Sequence, residues 1–304
     1  MKRFVLPALV ALTVMHVAPV RADIFHAFHE RQVMGHKLSG KLEKAQYYSA
    51  ALGEKRALYV YTPPAFALNP TQRYPVLVLL HGAPGEPLDW LYEGNAHRAI
   101  DQAIASGALP PCLVVLPDGH GPFYKGGSEW ADAKGGTCNM ETAVVRDLTQ
   151  YMEKTYRAST NPALWAIGGL SEGGYGAANL AVRHPDRFQS ALVFSGDLRV
   201  KDDWGDDTDV FGTDPAVRSA NSPIEQIRRV PAELRKKLHF YVAVGADDDQ
   251  ELVSDAVGFT SVARSEGATV RLDRDPGAHK WGFWSAHFQS ALPLLGQWWK
   301  QVIA

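Results

Sequence analysis

Along the chain, short apolar runs alternate with longer stretches of helical period. The runs "VLVLL", "CLVVL" and "HFYVAV" are apolar at successive positions, as strands of a parallel sheet covered on both faces require. Candidate strands are Gln46–Ala51, Arg56–Tyr61, Tyr74–Leu80, Cys112–Leu116, Leu164–Ile167, Ser190–Phe194, Leu238–Val244 and Ala268–Asp273. The first two alternate polar and apolar residues and read as an antiparallel edge pair. Between them lie candidate helices Ala96–Ser106, Asn139–Thr155, Ser171–Arg183, about Gln250–Glu266, and Ser285–Ile303, with Pro185 stopping the third. Eight strands with interleaved helices and no repeat or low-complexity linker predict one doubly wound, mostly parallel α/β domain over residues 23–304. The stretch 198–237 has no strand pattern and is expected to form a small cap or lid over the C-terminal edge of the sheet.

The first residues belong to a different pattern. Lys2 and Arg3 precede an apolar run from Phe4 to about Val17, and Val20-Arg-Ala22 puts small residues three and one positions before a cleavage point. The run is short for a membrane span of roughly 20 residues and is interrupted by Pro7. Residues 1–22 therefore read as a cleaved secretory signal, and no cysteine follows the cut to carry a lipoprotein anchor. A secreted or periplasmic protein with no stable membrane anchor is expected.

Composition narrows the chemistry only slightly. The 304 residues carry 31 basic and 33 acidic side chains, and loss of Lys2, Arg3 and Arg21 with the leader makes the balance more acidic. That argues against nucleic acid or an anionic membrane surface as a partner. Export would allow Cys112 and Cys138 to bridge, and no Cys/His spacing points to zinc.

The segment Trp165-Ala-Ile-Gly-Gly-Leu-Ser-Glu-Gly-Gly-Tyr-Gly176 puts five glycines around one serine, between a predicted strand and a predicted helix. Gly169-Leu-Ser-Glu-Gly173 matches G-x-S-x-G, a pattern that chance supplies in roughly one chain in ten of this length, so its context decides. A chain passing from strand to helix in so few residues holds the serine in a strained conformation, and glycines avoid collisions where strand and helix nearly touch. The strain lifts the Ser171 hydroxyl clear of the backbone and aims the first helical N–H groups at the same spot. No G-x-G-x-x-G follows the first strand and no G-x-x-x-x-G-K-[ST] occurs, which disfavours a nucleotide site.

A serine hydroxyl needs a base. His279, in Asp275-Pro-Gly-Ala-His-Lys-Trp-Gly-Phe-Trp284 after the last predicted strand, has the required position. His26, His29 and His36 precede the sheet, His184 ends a helix and His239 starts a strand, which leaves His287 as the rival. The orienting acid is expected in the turn after the preceding strand, where Asp247, Asp248 and Asp249 are adjacent. The order Ser, Asp, His is that of α/β-hydrolases. The loop His81-Gly-Ala-Pro-Gly85 follows "VLVLL", where an oxyanion hole draws its second amide: Gly82 or Ala83 can donate, Pro84 cannot, and Glu172 supplies the other N–H.

These segments together resemble the esterase family of α/β-hydrolases that includes feruloyl and acetylxylan esterases, S-formylglutathione hydrolase, siderophore esterases and mycolyltransferases. The resemblance runs from about Gly40 to the C-terminus through "VYTPPAF", "YPVLVLLHGAPGEPLDW", "PPCLVVLPDG", "IGGLSEGGYGAANLAVRHPDRF", "VFSGDL", "FGTDP", "VGADD" and "PGAHKWGFW". It implies Ser171 as nucleophile, His279 as base and Asp248 as acid, three residues after Gly245, with Asp247 and Asp249 as alternatives. Ala83 and Glu172 are then the oxyanion donors. Glu172 departs from the methionine or glutamine often found after the nucleophile, and its charge opposes an oxyanion unless the side chain turns away or pairs with a cation.

The loop Asp118–Trp130 opens at the same edge, and Trp90, Tyr124, Glu129 and Trp130 are candidate pocket residues, with Trp204, Trp281 and Trp284 as further aromatic candidates. Trp281 or Trp284 is expected beneath His279. The acidic run Asp202–Asp209 lacks EF-hand spacing and reads as a solvated turn rather than a calcium loop. The expected activity is hydrolysis of a small-molecule or polymer-linked carboxylic ester, with no metal or organic cofactor. The alternatives are acyl transfer to an alcohol through the same triad, and a non-catalytic exported binding protein on a hydrolase scaffold.

Overall fold

The computed structural model describes residues 18–123, 126–200 and 208–304, in two compact units, Met1–His36 and Lys37–Ala304. The first contains helix α1 (Ala18–Met34). The leader expected over residues 1–22 lies mostly on residues 1–17, outside the described ones. No described helix is long and apolar enough to cross a membrane.

The second unit is built on one eight-stranded sheet with the strand order β1-β2-β4-β3-β5-β6-β7-β8. In chain order the strands are β1 (Lys41–Ser49), β2 (Glu54–Thr62), β3 (Val76–Leu80), β4 (Leu113–Pro117), β5 (Trp165–Leu170), β6 (Ser190–Phe194), β7 (His239–Gly245) and β8 (Thr269–Asp275). β1 and β2 form the expected antiparallel edge hairpin, β2 also pairs antiparallel with β4, and the remaining pairings are parallel. Strand β1 starts earlier than its hydropathy indicates because Lys41, Glu43 and Lys44 decorate an edge strand that hydrogen-bonds on one side only. Strands β3 to β6 are buried at every position. Each Val, Leu, Ile or Phe buried there stabilises the fold by about 1.5–3 kcal/mol.

The helices are α2 (Pro87–Tyr92), α3 (Ala96–Ala105), α4 (Met140–Thr142), α5 (Thr149–Thr155), α6 (Glu172–Arg183), α7 (Thr208–Phe211), α8 (Pro215–Ala220), α9 (Pro223–Gln226), α10 (Ala232–Arg235), α11 (Gln250–Ser265) and α12 (Trp281–Ile303). A π-helical run, Ala143–Leu148, joins α4 to α5 in the helix expected over 139–155. Helix α2 escapes the hydropathy pattern: it is one and a half turns long, started by Pro87 and by the Asp89 carboxylate accepting the Glu86 N–H. The segment expected as a cap is helical in its described part, α7 to α10. It packs along α6, where the Tyr175 hydroxyl donates to Asn221 O and Arg183 to Ala220 O, and Ile224, Ile227 and Val230 join the core. Residues 201–207, which carry Trp204 and most of the acidic run, lie outside the described residues. Cys112 and Cys138 are buried and unbridged.

The chain reverses its winding between β3 and β5, because β4 lies on one side of β3 and β5 on the other. In such sheets the crevice at the carboxyl ends of the strands is where ligands bind. The register sets what meets there. Leu80 pairs with Gly169, Leu170 with Phe194, Phe194 with Ala243 and Gly245 with Asp275, so the loops after five neighbouring strands leave the sheet side by side.

Candidate active site

Ser171 sits between β5 and α6 with φ 54° and ψ −124°, a region that costs a non-glycine residue of order 1–3 kcal/mol. The turn is held by the Ser171 N–H donating to Phe194 O and by the Tyr175 N–H donating to Ser171 O. Its glycines are needed for room. A Cβ at position 169 would lie 2.0 Å from Gly173 O, and one at position 173 would lie 2.4 Å from Leu80 O.

The Ser171 hydroxyl is 2.9 Å from His279 Nε2, and His279 Nδ1 is 3.0 Å from Asp248 Oδ1. Asp248 cannot donate as a carboxylate, so Nδ1 carries the proton and Nε2 is left to accept from serine. Burial pushes the Asp248 carboxyl up, but the hydrogen bond from His279, the Ser195 hydroxyl and the Asp249 N–H outweigh it and hold the pKa below the usual carboxylate value. The Asp248 side chain is 1% exposed and that of His279 38%, so the acid is enclosed while the base faces the crevice.

The three adjacent aspartates divide the work. Asp248 faces His279. Asp249 caps α11 by accepting the Glu251 N–H, and Asp247 accepts the N–H of Gly277 in the histidine loop. His287, the rival base, lies elsewhere: its Nδ1 meets the Tyr241 hydroxyl at 2.9 Å and its Nε2 is 3.6 Å from Asp275.

The loop after β3 lies against the nucleophile, since a Cβ on Gly82 would be 3.2 Å from Ser171 Cβ. Ala83 follows in that loop, and Glu172 is the first residue of α6, where helix geometry provides no intrahelical acceptor for the N–H. The Glu172 carboxylate turns to the neighbouring loop, where Oε1 accepts from the Ser128 and Glu129 N–H groups at 2.9 and 2.7 Å. Its charge is therefore neutralised in part by two amides, in the strong charge-assisted class of hydrogen bond.

Two pocket candidates are not pocket walls. Trp90 and Trp130 are both 0% exposed. Their indole N–H groups donate to Leu80 O and His81 O, so they brace the base of the loop that carries Gly82 and Ala83. An indole supplies large apolar area and one donor, and here both are consumed inside the core. Glu129 is half-buried with φ 51°, beside Trp130 at φ 50°, in the turn held by Glu172. Tyr124 lies outside the described residues. Trp284 takes the expected place at His279, edge to face with ring centroids 4.8 Å apart, and Trp281 continues the stack to Trp90.

Sequence reasoning passed over His81. Its Nε2 accepts the Gly119 N–H at 3.0 Å, which requires Nδ1 to carry the proton and to donate to Gly82 O at 2.9 Å. Burial pushes its pKa down to about 4, so the ring is neutral and ties the loop after β3 to the loop after β4. The glycines flanking the pair, Gly82 and Gly119, were the available signal. His81, Asp118 and His120 lie close enough to suggest a metal, as do Asp273, Asp275 and His287. Neither is a ready donor set: both His81 nitrogens are engaged, Arg56 pairs with Asp118, and Arg271 and Tyr241 hold Asp273.

Known proteins resemble the chain in sequence and, where a structure is solved, in fold. The chain is 28% identical over 242 residues to an uncharacterised protein of Corynebacterium glutamicum, a match spanning 76% of this chain and 54% of that one. It is 26% identical over 245 residues to an acetyl esterase of Caldicellulosiruptor saccharolyticus, spanning 73% of this chain and 83% of the relative. A solved ferulic acid esterase superposes with a TM-score of 0.75 at 26% identity, over 86% of this chain and all of the other. The profile of the family described as Putative esterase matches residues 49–295, and with its eight-stranded α/β-hydrolase sheet the chain belongs to that esterase family.

Proposed function

We propose that this protein hydrolyses a carboxylic ester through an acyl-enzyme on Ser171, after export from the cytoplasm. The single observation that carries the reading is the unbroken hydrogen-bonded path from Ser171 Oγ through His279 to the enclosed Asp248. His279 Nε2 takes the hydroxyl proton as Ser171 Oγ attacks the acyl carbon, and Asp248 stabilises the imidazolium. The N–H groups of Ala83 and Glu172 receive the oxyanion, a contribution worth on the order of 10²–10³ in rate per donor. The tetrahedral intermediate collapses, the alcohol leaves with the proton from His279, and water repeats the sequence to release the acid and restore serine.

The test is turnover of p-nitrophenyl acetate by purified protein. Ser171→Ala is expected to remove it by at least about 10⁴-fold. Turnover at the native rate in that variant would sink the reading. Labelling of Ser171 by a fluorophosphonate excludes an inert binding protein. An alcohol that captures the acyl-enzyme ahead of water would make the protein an acyltransferase, which appears as ester exchange when sugars or glycerol are added.

A further inference from the structure

Three tryptophans join the catalytic histidine to the loop of the oxyanion donors. The Trp284 ring meets His279 with centroids 4.8 Å apart and planes at 88°, Trp281 meets Trp284 at 5.5 Å and 85°, and Trp90 meets Trp281 at 5.5 Å and 84°. Each contact is edge to face, an arrangement that aromatic quadrupoles favour. Right-angled contacts fix a ring's rotation as well as its place, because turning one ring drives its edge off the neighbouring face or into it.

Both ends of the column are pinned by hydrogen bonds. Trp284 Nε1 donates to Ser195 Oγ at 3.1 Å, and Trp90 Nε1 donates at 2.9 Å to Leu80 O, the carbonyl from which His81, Gly82 and Ala83 continue. Trp90 is fully buried and packs on Phe194 and Phe288, so its ring has little room to yield. The middle ring is seated too: a Cβ on Gly94, just after α2, would lie 2.9 Å from Trp281 Cζ3. Within the sheet, by contrast, β3 and β8 are separated by β5, β6 and β7.

We propose that Trp281 is a positioning residue that couples the catalytic base to the oxyanion loop and holds the two in register for the tetrahedral intermediate. The inference rests on the reading of Ser171, His279 and Asp248 as the triad, with Ala83 as an oxyanion donor. The base takes its proton as the oxyanion forms, so an error in the placement of either loop is felt in the same step. Trp281 is the half-buried member of the column. Removing it parts the two ends while leaving the hydrogen bonds of Trp90 and Trp284 in place, which breaks the chain of packed side chains at one point.

The test is Trp281→Ala beside Trp281→Phe, read by hydrogen exchange and by kinetics. In Trp281→Ala, exchange should accelerate together in residues 80–85 and 277–280, although Trp90 stands between the first segment and the substitution. The kcat on p-nitrophenyl acetate and the rate of fluorophosphonate labelling at Ser171 should both fall roughly tenfold with KM unchanged. That is the size expected for two lost aromatic contacts and the pattern of a group that acts in the transition state. Trp281→Phe keeps a ring in the column and should recover most of the rate. Should the alanine variant fail to fold, the two segments are compared in Trp281→Phe, where a smaller joint acceleration supports the coupling and acceleration of one segment alone overturns it. In a protein that Ser171→Ala inactivates, acceleration at 277–280 alone, or a native kcat with only the melting temperature lowered, would overturn the coupling and leave the triad standing. Turnover that survives Ser171→Ala would instead overturn the parent reading and this inference with it.

Discussion

Gly245 and Gly277 touch: a Cβ placed on Gly245 would lie 2.2 Å from the Gly277 carbonyl oxygen. The same carbonyl accepts the Asp247 N–H at 2.8 Å, and the Ala246 N–H donates to Asp275 O at 2.8 Å. The acid turn and the histidine loop are therefore one backbone-bonded unit. Gly245→Ala must push the loops apart. A displacement near 1 Å at a reacting group costs on the order of 10²-fold, so kcat should fall by about that factor while far-UV circular dichroism stays native. An unchanged kcat would show that the two loops tolerate separation.

The division of labour among the three aspartates predicts three different phenotypes. Asp248→Asn should lower kcat by roughly 10⁴-fold, because an amide no longer demands the Nδ1–H tautomer of His279. Asp249→Ala should cost about 1 kcal/mol of stability through loss of the α11 cap, with activity retained below the melting temperature. Asp247→Asn should lie between them. Kinetics and thermal melts on the three variants check the assignment, and an Asp249 variant as inactive as the Asp248 one would refute it.

His81 predicts a pH dependence of stability. Its folded pKa, about 4, lies below the unfolded value of 6.5. Between those values the unfolded chain holds a proton that the folded protein does not, so stability is full above pH 6.5 and declines as pH falls toward 4. The drop from this one group is about 3 kcal/mol, at 1.4 kcal/mol per unit. Melting temperatures measured from pH 7 to 4 should fall less steeply in His81→Asn than in the native protein. Equal slopes would remove His81 as the cause.

Asp248 contributes with the sign of a stabilised carboxylate. Its lowered folded pKa gives stability present above the ordinary carboxylate range and lost as pH falls through the lowered value. Native protein minus Asp248→Asn should therefore show a stability difference that shrinks below about pH 4, the unfolded carboxylate value. A difference that grows on acidification has the wrong sign for this account.

Glu172 offers a test of the loop it holds. Glu172→Ala removes the acceptor for the Ser128 and Glu129 N–H groups, and amide exchange across 127–131 should accelerate, with kcat/KM down about tenfold. Glu172→Gln retains one carbonyl oxygen and should lose less on both measures. Faster exchange in neither variant would show that the turn is held by other contacts.

The hydropathy pattern alone determined much of this protein. Continuous apolar runs located the central strands, because a strand buried on both faces tolerates no polar interruption, and alternation marked the antiparallel edge pair β1 and β2. The glycines around Ser171 announced the elbow, because only residues without Cβ allow strand and helix to approach so closely. Chain order then pointed to His279 and to the aspartate cluster. What the sequence could not decide was orientation. Three neighbouring carboxylates are equivalent in composition, and only the register of β7 on β8 turned Asp248 inward while its neighbours capped a helix and tied a loop. Trp90 and Trp130 looked like pocket walls because neither lies in a stretch long enough for periodicity to reveal its burial; the packing of the short helix α2 and of the loop that carries Trp130 put both indoles inside.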